Sequence, residues 1–160
     1  MDIQVRTIQP TDNSAIASII RNTLTEFGAN RPGTVYFDSS TDFLSEVFQT
    51  PGSIYFVVHL DNKPAGGAGV YPSEGLPEGT CELVKMYLLP QLRGQGIGKL
   101  LIEKCLEFAK EAGYKKIYLE TLPELKKAIH VYEKFDFTYL NGPLGNTGHF
   151  GCDVWMIRDL

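Results

Sequence analysis

The sequence contains few cysteines, and they form no recognisable framework. Cys81, Cys105 and Cys152 are odd in number, and no two of them make a C-x-x-C pair. A reducing compartment therefore suits this count better than a disulfide scaffold. Cys105 falls among the apolar residues of a helix-like segment, so we interpret it as a small buried side chain rather than a reactive thiol.

Long apolar runs and an excess of positive charge are also absent. No stretch approaches the length of a membrane span, and the first residues, Met1 to Arg6, lack the apolar core of a signal peptide. The formal net charge is −4, so no basic stripe is offered to phosphates. We therefore expect a soluble, cytoplasmic protein with no membrane and no nucleic-acid partner.

The remaining composition is that of an ordinary globular protein, with 43% hydrophobic and 21% charged residues. A chain of 160 residues without repeats, low-complexity segments or linkers is expected to form one domain, residues 1–160.

Hydrophobic periodicity predicts the element order β-α-α-β-β-β-α-β-α-β-β, a mixed sheet with helices on both faces. The predicted strands are residues 3–8, 53–60, 64–70, 81–89, 115–121, 137–140 and 154–157. The predicted helices are residues 10–27, 40–49, a segment from the glycine-rich turn to about 112, and 125–135. In the second helix, Phe43, Leu44, Val47 and Phe48 are expected to face inward.

The segment Arg93-Gly94-Gln95-Gly96-Ile97-Gly98-Lys99 lies between the fourth strand and the third helix. Backbone N–H groups free of side chains at a helix N-terminus form a site for phosphate. A P-loop is excluded because Lys99 is followed by Leu100, which has no hydroxyl for a magnesium ion. A dinucleotide fingerprint is excluded by the even spacing of the glycines and their position past mid-chain.

The spacing Arg-x-x-Gly-x-Gly in this segment resembles the acyl-CoA pyrophosphate loop of the GCN5-related N-acetyltransferase (GNAT) superfamily. Residues 128–137, Ala-Ile-His-Val-Tyr-Glu-Lys-Phe-Asp-Phe, are similar to a second signature of that family. The resemblance extends over nearly the whole chain. It implies an α/β (α+β) fold, with a mixed, mostly antiparallel sheet of about six to seven strands, a splay between strands 4 and 5, and about four flanking helices.

The resemblance further implies an N-acetyltransferase that uses acetyl-CoA as cosubstrate, with direct attack by a primary amine in a ternary complex. Backbone groups of the fourth strand would pair with the pantetheine arm, and the amides after Arg93 would hold the pyrophosphate. The cofactor-binding residues implied are Met86, Tyr87, Leu88, Arg93, Gly94, Gln95, Gly96, Ile97, Gly98, Lys99 and Lys134.

Acetyl transfer to an amine needs a base for the amine proton and an acid for the departing thiolate. By resemblance, Tyr132 is the acid, and Glu120 and Glu82 are competing candidates for the base, which we expect to border the amine site as a pair. A base that acts through a water molecule is a further possibility. Two departures from the family pattern are Leu125, where many members carry a CoA-contacting Asn, and Asp136, where Gly is usual; Asp can still adopt a left-handed conformation.

Several alternatives stay open at this point. The chain could be a non-catalytic CoA-sensing or partner-binding module, or it could use another acyl-CoA or a hydroxyl acceptor. The acceptor could be a small molecule or a peptide, and the protein a monomer or a homodimer. In the 141–152 loop, His149 and Cys152 suggest loop packing or substrate contact rather than a nucleophile or a metal site, and no metal is expected. Tyr36, Phe37 and Asp38 are candidates for the acceptor pocket by analogy of fold.

Overall fold

The computed structural model describes residues 2–160, which form one sheet of seven strands with four α-helices. The strands are β1 (Ile3–Thr7), β2 (Ile54–Leu60), β3 (Lys63–Tyr71), β4 (Thr80–Leu88), β5 (Lys116–Thr121), β6 (Thr138–Leu140) and β7 (Val154–Asp159). The helices are α1 (Asn13–Glu26), α2 (Leu44–Val47), α3 (Ile97–Glu111) and α4 (Lys126–Lys134). The order of elements predicted from the sequence is confirmed.

The strands lie in the order β1-β2-β3-β4-β5-β7-β6, and every neighbouring pair is antiparallel except β4 and β5. The parallel pair is joined only at Thr80–Lys116, Cys81–Ile117 and Glu82–Tyr118. Beyond Glu82 the two strands separate, which confirms the predicted splay between strands 4 and 5. Among residues 2–160, no strand consequently pairs with the backbone of β4 from Leu83 onward on the side that faces the gap.

Two buried clusters cover the two faces of the sheet. On one face, α3 contributes Leu101, Ile102 and Cys105, which pack with residues of the sheet and with Tyr132 of α4. On the other face, α1 contributes Ile16, Ile20 and Leu24, which pack with Tyr55 and Val57 of β2. The 3.6-residue apolar stripes seen in the sequence are thus the faces that bury these two helices, and Cys105 is a buried thiol in the core, as expected.

The prediction of a second helix over residues 40–49 is wrong in its detail. A 3₁₀ segment runs from Ser39 to Phe43, and only Leu44–Val47 is α-helical. Leu44 is fully buried as predicted, but Phe43 is 43% exposed. The tighter 3₁₀ turn places successive side chains at angles other than those of an α-helix, so a stripe read at 3.6 residues misplaces Phe43.

Two glycines of β3, Gly67 and Gly69, make room for Tyr55. A Cβ added to Gly67 or Gly69 would come within 2.7 Å of the Tyr55 ring or closer. The Tyr55 hydroxyl passes across β3 and donates a 2.7 Å hydrogen bond to the carbonyl oxygen of Lys85 in β4. Opposite these glycines the β3–β4 register shifts, and Lys85 has φ +53°. The small residues of β3 therefore support a β-bulge in β4.

Asp136 follows α4 with φ +67°, so the left-handed conformation proposed for it from the sequence is confirmed. In residues 2–160, no helix is long and apolar enough to cross a membrane.

Candidate active site

A cleft opens where β4 and β5 diverge. Its lining includes the carboxylates of Glu82 and Glu120, together with Lys85, Tyr87 and His149. The sequence analysis named both glutamates as candidate bases, and the structure brings them to the walls of this one cleft. It lies on the α1 side of the sheet, since Leu24 of α1 also lines it.

Glu82 is a buried carboxyl group at the last position of β4 that pairs with β5. It is 5% exposed, and Ser73 donates a short hydrogen bond to its Oε1. Burial raises its pKa to about 7, and the nearby Glu120 carboxylate adds to the rise, whereas Ser73, His149 and Lys85 oppose it. A carboxyl group that titrates near neutral pH can accept and release protons under physiological conditions.

Glu120 lies at the end of β5, and both of its oxygens accept hydrogen bonds. Tyr118 donates to Oε2 and Thr147 donates to Oε1, each at 2.6 Å. The Tyr118 hydroxyl in turn accepts a bond from the backbone N–H of Leu144 at 3.1 Å. The carboxylate is therefore held in place and linked to the 141–152 loop.

His149 connects that loop to the segment before α2. Its Nε2 lies 2.6 Å from Asp38 Oδ2, and its Nδ1 lies 3.8 Å from Glu120 Oε1. Asp38, named from the sequence as a candidate pocket residue, thus contacts the cleft through His149. Phe37 is 60% exposed and forms an edge-to-face pair with Tyr36.

Cys152 does not have the properties of a nucleophile. It is 7% exposed, and burial, together with the carboxylates of Glu120 and Glu82, raises the pKa of its thiol to about 12. A thiol in such surroundings stays protonated and inert. Within residues 2–160, no group of three or more His, Cys, Asp or Glu side chains could hold a metal ion.

The glycine-rich segment forms an open concave turn at the start of α3. Gly94 and Gly96 have φ +76° and +82°, and a Cβ at either position would meet nothing within 4 Å. Gly96 is the N-cap of α3, so the N–H groups of Ile97, Gly98 and Lys99 have no intrahelical acceptor. No hydrogen bond within residues 2–160 occupies the N–H groups from Gly94 to Lys99, and Gln95 uses its side chain to bond the Gln91 carbonyl.

Arg93 is held by contacts within the protein. Its Nε donates to the Leu88 carbonyl at 3.1 Å, and its guanidinium forms a two-bond ion pair with Glu26 of α1. The guanidinium also lies 5.3 Å from the centre of the Phe27 ring. Arg93 therefore closes the turn against β4 and fastens it to α1, and Glu26 offsets part of its charge.

The other positions implied by the resemblance lie on two elements. Met86 and Leu88 pack against the α3 side of the sheet, while Tyr87 lines the cleft on the opposite side. A Cβ on Gly98 would be 3.9 Å from both Met86 and Leu88, so β4 and the glycine turn are adjacent. Lys134 is exposed on the last turn of α4.

Tyr132 lies on α4, outside the residues that line the cleft. It is 6% exposed, and its ring packs edge-to-face on Phe137 at 5.9 Å. Burial raises the pKa of its hydroxyl, which therefore keeps its proton at neutral pH. The pKa of Tyr87 is raised by burial and by Tyr132, so the two phenols are electrostatic neighbours. Leu125, the departure noted in the sequence, is the N-cap of α4 and lines the cleft.

Several side chains of this site were not singled out in the sequence: Ser73, Lys85, Tyr118 and Thr147. Ser73 and Thr147 lie in long loops, and only the fold brings them to the two glutamates. Tyr118 had a signal, because it alternates with Glu120 on β5 and must share its face. Lys85 had no such signal in the sequence. In a strictly alternating strand its side chain would lie on the face opposite to that of Val84, and the two residues would not line the same cleft.

Comparisons with known proteins agree with this geometry. The family model described as "Acetyltransferase (GNAT) family" matches residues 18–137. The chain belongs to the GNAT family. An Escherichia coli protein named "Uncharacterized N-acetyltransferase YjgM" is 41% identical over 157 residues, covering 98% of this chain and 94% of that protein. Human "N-acetyltransferase 8B" is 29% identical, covering 81% of this chain and 57% of that protein.

Solved structures share the fold at low sequence identity. A GNAT-family acetyltransferase from Staphylococcus aureus has a TM-score of 0.84 at 18% identity, covering 99% of both chains. The PaiA N-acetyltransferase from Thermoplasma acidophilum, solved in complex with coenzyme A, has a TM-score of 0.77 at 18% identity and covers 100% of both chains. These structures confirm the fold class predicted from the sequence.

Proposed function

We propose that this protein transfers the acetyl group of acetyl-CoA to a primary amine of a small molecule or peptide. The observation that carries the proposal is the presence of two features along the stretch of β4 that does not pair with β5. At its start lies the buried carboxyl group of Glu82, whose pKa is near neutral, and at its end, next to Met86 and Leu88, lies the amide nest, the free backbone N–H groups of Gly94 to Lys99. Membership in the GNAT family and the coenzyme A complex of a structural neighbour support acetyl-CoA as the cosubstrate.

The residues present fit coenzyme A. The N–H groups of Gly94 to Lys99 would hold the pyrophosphate, because they are free, concave and at the positive end of the α3 dipole. The unpaired edge of β4 at Met86, Tyr87 and Leu88 would hydrogen-bond the pantetheine arm. Lys134 and Lys99 would add positive charge near the phosphates, and Arg93 would fix the turn. When bound, acetyl-CoA supplies a thioester whose carbonyl carbon an amine can attack.

Glu82 is the base in this proposal. Its carboxylate takes a proton from the ammonium group of the acceptor, and its pKa near 7 suits that exchange at neutral pH. Glu120, held by Tyr118 and Thr147, supplies a fixed negative charge that favours binding of the cationic acceptor. The acceptor then attacks directly in a ternary complex, for which the splay provides the common opening.

Tyr132 is the acid that protonates the departing thiolate. Its raised pKa keeps the hydroxyl protonated until it is needed. Because Tyr132 lies on the α3 side of the sheet and Glu82 lines the α1 side, the two groups would act from opposite sides of the gap between β4 and β5. This arrangement separates proton removal from proton delivery.

The test combines binding and turnover. Isothermal titration calorimetry should show binding of acetyl-CoA, and a thiol-release assay with a panel of amines should show CoA production that depends on the amine. Thiol release should fall by roughly 100-fold or more in Glu82→Gln, in line with removal of a general base. Tight acetyl-CoA binding without thiol release for any amine would instead favour the CoA-sensing module. Thiol release with alcohols alone would show that the acceptor is a hydroxyl group, and thiol release only with longer acyl-CoA donors would show that the donor is not acetyl-CoA.

A further inference from the structure

A lysine side chain that is largely buried lies in the wall of the acceptor cleft. The side chain of Lys85 is 10% exposed, and the residue lines the cleft together with Glu82 and Glu120. Its ionic partner is Asp38, whose Oδ2 lies 3.8 Å from Nζ, beyond the length of a hydrogen bond. That same oxygen already accepts the 2.6 Å bond of His149. Within residues 2–160, Nζ donates no hydrogen bond.

The ion pair with Asp38 therefore uses none of the three N–H donors of Lys85 in a hydrogen bond, and they are available to a ligand in the cleft. Buried polar groups in folded proteins are almost always hydrogen-bonded, and a charged group left without partners is especially unfavourable. Burial lowers the pKa of Lys85, and the carboxylates of Asp38 and Glu82 oppose that change. A negatively charged group bound in the cleft would accept the hydrogen bonds that the Lys85 ammonium group can donate.

A β-bulge in β4 directs the Lys85 side chain into the cleft. Lys85 lies at the register shift opposite Gly67 and Gly69 and has φ +53°, which is uncommon for a residue with a side chain. The Tyr55 hydroxyl fixes its carbonyl oxygen at 2.7 Å. Without the bulge, strict alternation would send the side chain to the α3 side with Leu83. Strain of this kind persists where the surroundings enforce it, and it clusters at functional sites.

The Lys85 cation opposes the attraction that the carboxylates of Glu82 and Glu120 exert on the ammonium group of a simple amine. The acceptor enters as an ammonium ion, and a like charge in a partly desolvated cleft repels it. The repulsion is reversed when the acceptor also carries a negative group that reaches Nζ. Glu82 and Lys85 are three residues apart on one strand and both line the cleft, so they offer a base and a cation to the two ends of one small molecule.

We propose that the acceptor is an amino acid or another small primary amine that carries a carboxylate. The acceptor carboxylate binds the Lys85 ammonium, and its amine faces Glu82 and Glu120. This inference rests on the proposed function, and it narrows the acceptor to zwitterionic small molecules. Polyamines and the lysine side chains of proteins lack a carboxylate close to the reacting amine and are therefore poor acceptors.

The experiment compares matched acceptors in the full-length protein. The twenty L-amino acids are screened by thiol release with acetyl-CoA; for the best of them, the carboxamide and the decarboxylated amine are then measured. We expect wild-type kcat/KM to favour the free carboxylate by roughly 10- to 100-fold, the range of a hydrogen bond to a charged group. Spermidine and a lysine-containing peptide blocked at its N-terminus should be weaker still.

Lys85→Met keeps an unbranched apolar stem of similar length and removes the charge. In this variant kcat/KM for the amino acid should fall to the level of its carboxamide and of the decarboxylated amine, each measured in the same variant. The comparison is made within the variant because Lys85 also lowers the pKa of Glu82, and its loss affects all three acceptors alike. Lys110→Met, on the exposed face of α3, is the matched control and should behave like wild type. Thermal melting and acetyl-CoA calorimetry on each variant separate a local effect from a folding defect.

The outcomes separate this inference from the proposed function. Equal kcat/KM for the three matched acceptors, or a preference for spermidine or the blocked peptide, would overturn the carboxylate site and leave the acetyltransferase intact. A carboxylate preference that survives in Lys85→Met would also overturn it. Absence of thiol release with every amine despite acetyl-CoA binding would overturn the proposed function itself, and this inference with it.

Discussion

His149 Nε2 lies 2.6 Å from Asp38 Oδ2, a contact between residues 111 positions apart in the chain. It joins the 141–152 loop to the segment before α2, and His149 itself lines the cleft. The same loop is attached to β5 through the Thr147–Glu120 and Leu144–Tyr118 hydrogen bonds. The cleft is therefore bordered by a loop whose position depends on a few polar contacts.

His149→Ala should loosen this loop and weaken acceptor binding. We expect the KM of the acceptor to rise several-fold and proteolytic cleavage within residues 141–152 to accelerate, because a charge-assisted hydrogen bond contributes about 1.5–3 kcal/mol. The dissociation constant of acetyl-CoA should not change, since the amide nest lies on α3. His130→Ala, at a 67% exposed side chain on α4, is the control. Wild-type acceptor KM and protease resistance in His149→Ala would show that the contact is dispensable.

The pH dependence of turnover should report the ionisation of Glu82. The carboxyl group must be ionised to take a proton, and its pKa is about 7. We therefore expect kcat/KM to rise about tenfold per pH unit below 7 and to level off above it. This limb should be missing in Glu82→Gln and present in Glu78→Gln, whose side chain is exposed in the loop before β4. A profile of Glu82→Gln with an unchanged limb at pH 7 would assign the base elsewhere.

Glu82 should also lower the free energy of unfolding at neutral and higher pH. Its pKa rises from the ordinary 4.5 to about 7 on folding, so the folded state holds a proton that the unfolded chain has lost between these values. Stability is thus unaffected below pH 4.5 and decreases as pH rises to 7. At pH 8, Glu82→Gln should be more stable by about 3 kcal/mol, at ~1.4 kcal/mol per pKa unit. At pH 4 the two proteins should unfold alike in a urea titration; a variant less stable at pH 8 would contradict this account.

The sequence predicts the strands, helices and glycine turn that carry this site, because these elements follow from patterns of neighbouring residues. Alternation and helical stripes locate β4, α3 and α4, and the three evenly spaced glycines locate the amide nest. Glu82 and Glu120 could be named because both lie on strands whose order the family resemblance supplies. Asp136 could be expected in a left-handed conformation because Asp tolerates it.

What the sequence does not predict is created by tertiary contacts. Lys85 enters the cleft only because Tyr55 crosses Gly67 and Gly69 and supports a bulge, which breaks the alternation of β4. The Asp38–His149 pair depends on two loops of irregular backbone, and no periodicity describes such segments. The elevated pKa of Glu82 follows from its burial next to Glu120, which a linear sequence does not show.

Tyr132→Phe tests the proposed acid. The change removes one hydroxyl from a ring that stays packed on Phe137, so folding should be little affected. If the hydroxyl protonates the thiolate, kcat should fall by roughly 100-fold while the KM values for acetyl-CoA and acceptor change far less. Tyr139→Phe, at a tyrosine that is 56% exposed on β6, is the control and should retain wild-type kcat. An unaltered kcat in Tyr132→Phe would remove this residue from the acid role.

The amide nest is best tested at Gly98. Gly96 is less suitable, because its φ of +82° would strain any side chain, whereas Gly98 has an ordinary φ and a Cβ there would only touch Met86 and Leu88 at 3.9 Å. Glutamate in the first turn of α3 is favourable to the helix dipole, so Gly98→Glu should fold normally. Its carboxylate would extend into the nest and repel the pyrophosphate.

We therefore expect acetyl-CoA affinity to fall at least 100-fold by calorimetry in Gly98→Glu and by less than about threefold in Gly98→Ala, since a methyl group adds no charge. Gly142→Glu, which also has open space and an ordinary φ, is the matched control and should bind as wild type does. Full affinity in Gly98→Glu would mean that the pyrophosphate does not bind these amides, and the acetyl-CoA site would have to lie elsewhere on the protein.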